Sequence, residues 1–151
     1  MDNTKYYEDL NVGDKWVTPR RTVSSAEMIS FNNLLWINGP AFVDEEYIEK
    51  QTSMKRRFAT GVMTIPLAAG LFTQLRLLGD SLIAMVGMEV RDMKKPLFAG
   101  DTIYVEVEVV GKNETSKNER GIVKFCYTTK NQHDEIVARI TETILIKRKQ
   151  E

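Results

Sequence analysis

The spacing of apolar residues changes once along this chain, from a helical period in the first half to strict alternation in the second. No other feature constrains the fold as much. Downstream, Ile103, Val105, Val107 and Val109 alternate with Tyr104, Glu106 and Glu108, the signature of a strand with one buried face. The same period of two returns in Val123, Phe125 and Tyr127 and again from Ile136 to Ile146, with turn residues at Asn113–Asn118 and Asn131–Asp134 between them. A further strand is predicted between Ile83 and Met93. Long strands joined by short polar turns pair antiparallel, and a sheet of that kind needs another element to cover its apolar face.

The first half supplies that element. Lys15 to Thr22 reads as one strand. Ser24-Ser25-Ala26-Glu27 fits a capping box, and Met28, Ile29, Phe31, Leu34 and Leu35 follow at helical spacing, predicting a helix over Ser25–Leu35. Asn38-Gly39-Pro40 breaks it, and Asp44-Glu45-Glu46 opens a second, short helix whose carboxylates suit a positive N-terminus. Past Thr60-Gly61, the residues Met63, Leu67, Leu71, Leu75 and Leu78 mark a longer helix that ends at Gly79-Asp80. With Ala68, Ala69 and Gly70 it is apolar nearly all round, so burial is predicted. The expected architecture is α+β: a curved antiparallel sheet wrapped around a central helix, forming a single domain over residues 1–151.

Composition excludes several classes of function. Twenty-one basic and 21 acidic residues cancel, so no global field draws in nucleic acid or an anionic membrane. One cysteine, Cys126, rules out an intrachain disulfide and a cysteine zinc cage, and it reads as strand filler. One histidine, His133, excludes any mechanism that needs two imidazoles from one chain, and its place between Gln132 and Asp134 marks a surface turn. No phosphate loop, dinucleotide fingerprint, metal-ligand cluster or serine elbow is present. The first residues, Met1 to Glu8, lack the apolar segment of a signal peptide, and Val62–Leu78 is interrupted by Pro66, Gly70, Gln74 and Arg76. A cytoplasmic protein with no membrane span is therefore expected.

Three stretches in order resemble the MaoC-like family of (R)-specific enoyl-CoA hydratases and dehydratases, which have the hot-dog fold. Phe31 to Tyr47, ending Val43-Asp44-Glu45-Glu46-Tyr47, is similar to a family helix followed by G-D-x-N-P-x-H and D-E-E-[FY]. Phe58-Ala59-Thr60-Gly61 through Leu71 is similar to A-H-G-M-x-x-x-x-L-x-S-G-L. Lys95-Pro96-Leu97-Phe98-Ala99-Gly100-Asp101-Thr102 is similar to P-V-F-x-G-D-T. The resemblance runs from about Tyr7 to Lys147.

The same resemblance makes the departures informative. The family's catalytic Asp falls on Ile37 and its catalytic His on Phe42, its second His falls on Thr60, and its helix Ser falls on Ala69. A one-residue slip puts Trp36 or Asn38 at the Asp position. Hydration of an enoyl thioester needs a base for the water and an acid for the α-carbon; neither Ile37 nor Phe42 exchanges a proton, and Trp36 and Asn38 cannot serve as general bases. The resemblance thus implies thioester binding with altered or lost hydratase activity. Gly61 would offer its backbone N–H, with Thr60, Trp36, Asn38 and Phe42 around the acyl group, and Lys55, Arg56 and Arg57 at the phosphates of coenzyme A or a phosphopantetheine arm. That arm belongs to the substrate, and no separate cofactor or metal is expected. A homodimer is implied, or a heteromer with a catalytic homologue in which this chain is the non-catalytic subunit. A thioesterase using Asp44 or Glu45 to position a water is the third reading.

Overall fold

The computed structural model describes residues 4–150, so Met1 to Asn3 of the N-terminal stretch and Glu151 lie outside the described residues. After a 3-10 turn at Tyr7–Asp9 the chain forms β1 (Lys15–Val17), β2 (Arg21–Thr22), α1 (Ser25–Leu34), α2 (Pro40–Val43), α3 (Glu45–Gln51) and α4 (Gly61–Gln74). A second 3-10 turn at Gly79–Ser81 leads into β3 (Leu82–Met93), β4 (Thr102–Glu114), β5 (Arg120–Lys130) and β6 (Ile136–Lys147). The strands pair antiparallel in the order β1-β4-β5-β6-β3, with β2 also on β4, so β3 ends the sheet.

Alternation does what it implies. Val105, Val107 and Val109 of β4, Val123, Phe125 and Tyr127 of β5, and Ile140, Ile144 and Ile146 of β6 are buried on the face that receives α4. From α4 come Met63, Ala68, Leu71 and Phe72. The Phe72 ring lies 5.0 Å from Phe125 and 5.1 Å from Tyr127. Each large apolar side chain buried this way contributes about 1.5–3 kcal/mol relative to an exposed one. The wholly buried Ala68 leaves room for the sheet to approach the helix.

The α1 capping box forms as read: Ser24 Oγ accepts from the Glu27 N–H at 3.1 Å, and Glu27 accepts from the Ser24 N–H at 2.8 Å. Four expectations need correction. The stretch Lys15–Thr22 is two strands rather than one, because Pro19 cannot donate to the ladder. Helix α1 already ends at Leu34, with Trp36 left-handed at φ 58°, so Pro40 does not break it but starts α2, sitting at its first turn where a missing N–H costs nothing. Helix α4 stops at Gln74, with Arg76 in the left-handed region at φ 52°, so Gly79 belongs to the next turn. Finally, α4 is covered on the sheet side only, and Val62, Pro66 and Gly70 stay exposed.

Candidate functional site at the N-terminus of helix α4

The stretches Phe58–Gly61 and Lys95–Thr102, far apart in sequence, are joined by backbone pairing. Ala59 N–H donates to Leu97 C=O at 2.7 Å and Ala99 N–H to Arg57 C=O at 3.1 Å, so Phe58 and Phe98 form a bridge. Asp101 holds the second stretch in shape. Its carboxylate accepts from the Phe98 N–H at 2.8 Å and from Gln132 Nε2 at 2.9 Å, while Gly100, at φ 92°, makes the turn a side chain would strain.

This pairing fixes the start of α4. Thr60 sits at the N-cap with 5% exposure, yet its hydroxyl does not cap the helix and has no partner. N–H groups in the first turn of a helix lack i−4 acceptors; here the Met63 N–H turns to Thr60 C=O at 2.9 Å, while those of Gly61 and Val62, with no side-chain cap, are available to a ligand. At Gly61 an added Cβ would meet only Met93 Cε, at 3.6 Å, so the backbone can be approached closely. Gly61 opens into a cavity of about 310 Å³ bounded by Met54, Phe58, Thr64 and Met93, with Lys94 and Lys95 on its wall. None of the described residues lining it is Asp, Glu or His. The arrangement suits a polarised carbonyl on an apolar group with anionic chemistry near the lysines.

Behind the cavity, Phe42 packs on Phe58 with ring centroids 5.5 Å apart. Its carbonyl accepts from Asn32 Nδ2 at 3.4 Å and from Arg57 Nη1 at 2.8 Å. Arg57 therefore departs from the sequence reading that groups it with Lys55 and Arg56 at a phosphate. It is buried, and its guanidinium is engaged by Glu45, through Nε at 2.6 Å and through Nη2, as well as by Phe42. Glu45 is thereby paired, and Asp44 Oδ1 caps α3 by accepting from the Tyr47 N–H at 3.0 Å. Both carboxylates named for a thioesterase role hold local structure.

The other named residues are dispersed. Lys55 is exposed at φ 62°, and Arg56 stacks over the Phe98 ring at 3.9 Å. Trp36 is 89% exposed at φ 58°, which places it outside the core. Asn38 is exposed and Ile37 half-buried, while Ala69 lines a different cavity farther along α4. Cys126 is half-buried, and His133 is exposed in the β5–β6 turn beside Arg56 and Lys95. Sequence reasoning missed Asn32, buried with Oδ1 unpartnered. Its signal was a polar residue four positions after the buried Met28 of α1. It also missed Lys94, Lys95 and Met93, which immediately precede or begin the Pro96–Thr102 stretch.

A curved antiparallel sheet wrapped around one helix, with that helix's N-terminus open to a cavity, defines a hot-dog protein. The chain belongs to the MaoC-like domain family, whose profile matches residues 10–131. The protein MaoC of Klebsiella aerogenes is 33% identical over 116 residues, 77% of this chain and 33% of that protein, so the chain spans about a third of that relative's length. A MaoC-like dehydratase from Rhodospirillum rubrum is 27% identical with a TM-score of 0.85, covering 97% of this chain and 99% of that one. The R-hydratase PhaJ1 from Pseudomonas aeruginosa, unliganded, is 25% identical with a TM-score of 0.73, covering 97% and 86%. Among the described residues no helix is long and apolar enough to cross a membrane.

Proposed function

We propose that this protein binds acyl thioesters of coenzyme A or of a phosphopantetheine carrier at the N-terminus of α4, and that hydration by the family's Asp–His pair is altered or lost in it. One observation carries the reading: an uncapped helix start, with the backbone of Gly61 open to an apolar cavity. A thioester oxygen placed there accepts from a preorganised N–H and gains from the helix dipole. Phe58 and Met93 suit the acyl group, and the exposed Lys55 and Arg56 suit the phosphates, joined by Lys94 and Lys95 if they exchange their surface pairs with Asp92 and Glu135. Loss of turnover is supported by the cavity's lack of a carboxylate or imidazole and by Ile37 and Phe42 at the family's Asp and His positions. On this reading the protein acts in the cytoplasm.

Calorimetry should detect a CoA ester, while crotonyl-CoA should show little loss of enoyl absorbance. Gly61→Pro isolates the donor, because proline is tolerated at the first helical position and Thr60, at φ −57° and ψ 145°, already has the conformation that precedes it. That variant should bind the ester about tenfold more weakly, the worth of one good hydrogen bond. Unchanged affinity would remove the N–H from the reading, rapid hydration would overturn the loss of turnover, and absence of ester binding by the unmutated protein would overturn the function.

Strand β3 supports a second copy of this chain as partner. It is 12 residues long and ends the sheet, and it exposes Ile83, Met85, Val86 and Val90, with no strand among the described residues paired on its free edge. Exposed apolar edges are templates for pairing. Val86→Lys is expected to convert a dimer in sedimentation equilibrium to a monomer. A native protein that is monomeric, or that co-purifies only with a different catalytic chain, would replace the homodimer.

A further inference from the structure

A second cavity lies along α4 beyond the thioester site and contains an acidic group that no reading so far uses. Its volume is about 630 Å³, and Ala69, Phe72, Leu78, Leu82, Met85 and Ile144 give it an apolar wall. Glu142 is part of that wall. It sits on β6 between Ile140 and Ile144, paired across from Phe125 on the face that receives α4, and it is 8% exposed. Acidic side chains are almost never that buried unless paired, yet Glu142 takes part in no ion pair among the described residues. Arg76, the cavity's other charged residue, is exposed at its rim. Among the described residues, the one side-chain partner of Glu142 is the Tyr127 hydroxyl, which donates to Oε2. Burial, and then the hydrogen bond to Glu142, push the Tyr127 hydroxyl far above its ordinary range, so it stays a donor.

A carboxylate offers about four lone-pair sites, and Tyr127 fills one. A plain hydrocarbon occupant would strip water from the remainder and leave a buried acceptor unsatisfied. An occupant bearing an O–H or N–H avoids that cost. We infer that Glu142 is a specificity-determining residue that selects acyl groups carrying a hydrogen-bond donor, a hydroxyl or a protonated amine, on the part of the chain that enters this cavity. Ala69 lies eight residues beyond Gly61, about 12 Å along the helix, a span that matches an acyl chain of medium length anchored at Gly61. The inference rests on the thioester reading only in taking the occupant to be an acyl group. The selectivity belongs to the cavity.

Three small probes without coenzyme A test it: hexanol, its isomer dipropyl ether, which has an oxygen but no donor, and hexylammonium. Each is titrated into the unmutated protein and followed by the amide shifts of Phe72 and Ile144. Hexanol should bind about tenfold tighter than the ether. In Glu142→Leu the ratio should fall to about one, with ether binding at least retained. Glu142→Gln, which keeps an acceptor, should preserve a preference for hexanol. Hexylammonium binding more than tenfold tighter than hexanol identifies a cationic donor, and comparable or weaker binding identifies a hydroxyl. A ratio near one in the unmutated protein, no binding of any probe, or a ratio unchanged in Glu142→Leu would overturn the inference. The isomer comparison needs no variant, so a variant that fails to fold does not protect it. Octanoyl-CoA calorimetry, run separately, shows whether the thioester reading fails independently.

Discussion

Gly121→Ala is expected to lower the free energy of unfolding by about 3 kcal/mol, the upper end of the cost of overpacking a core. The Tyr7 ring lies directly against this glycine. A Cβ built on it would stand 2.3 Å from Cδ2, 2.4 Å from Cε2 and 2.8 Å from Cγ of Tyr7. The ring cannot easily withdraw. Lys112 Nζ lies 4.2 Å from its centroid and Arg148 5.1 Å, and the 3-10 turn that carries it is held by the Lys112 amine on Tyr7 C=O at 2.7 Å and by Arg148 on Glu8 at 2.7 Å. Urea unfolding measures the loss directly. The double variant Gly121→Ala, Tyr7→Ala should be less destabilised than the sum of its parts, because removing the ring removes the clash. A Gly121→Ala protein within 0.5 kcal/mol of the original, on the order of an ordinary surface change, would show that no such contact limits this position.

Arg57→Met is expected to cost about 2–3 kcal/mol, read as a fall of about 5–10 °C in melting temperature for a chain of this size. Methionine fills much of the same volume but removes three interactions at once, those of Nε and Nη2 with Glu45 and that of Nη1 with Phe42 C=O. The Glu45 carboxylate is largely exposed, so water rescreens it and keeps the loss below that of a fully buried pair. The carbonyl of Phe42 keeps only the 3.4 Å contact from Asn32. Because Phe42 backs Phe58 at the cavity, the variant should also weaken CoA-ester binding by calorimetry. Arg57→Lys should recover little, since an ammonium cannot reproduce the planar fork. If Arg57 instead contacted phosphate, the variant would lose ester affinity without losing stability.

The elements were legible wherever neighbours a few residues apart carry the signal. The period-two runs of β4, β5 and β6 and the Ser24–Glu27 box appear in the structure nearly where the spacing puts them. Boundaries set by backbone chemistry were harder to read, as at Pro19, at Pro40 and at the end of α4, where Arg76 rather than a glycine takes the left-handed conformation. The Gly61 helix start was legible through the family motif. Its depth was not, because the cavity is built from Met54 upstream and Met93 to Lys95 downstream.

By itself the sequence determined that a curved antiparallel sheet must enclose one apolar helix, since periodicity depends only on which residues share a face. It also determined that one histidine, His133, excludes any mechanism needing two imidazoles from one chain. Only the tertiary structure decided which charges turn inward. Lys55, Arg56 and Arg57 are alike in sequence, yet Arg57 alone is buried on Glu45 and Phe42, and among the acidic residues of the strands Glu142 faces α4 beside Tyr127. Burying a charge depends on partners supplied by distant segments, and no local pattern encodes where those segments meet.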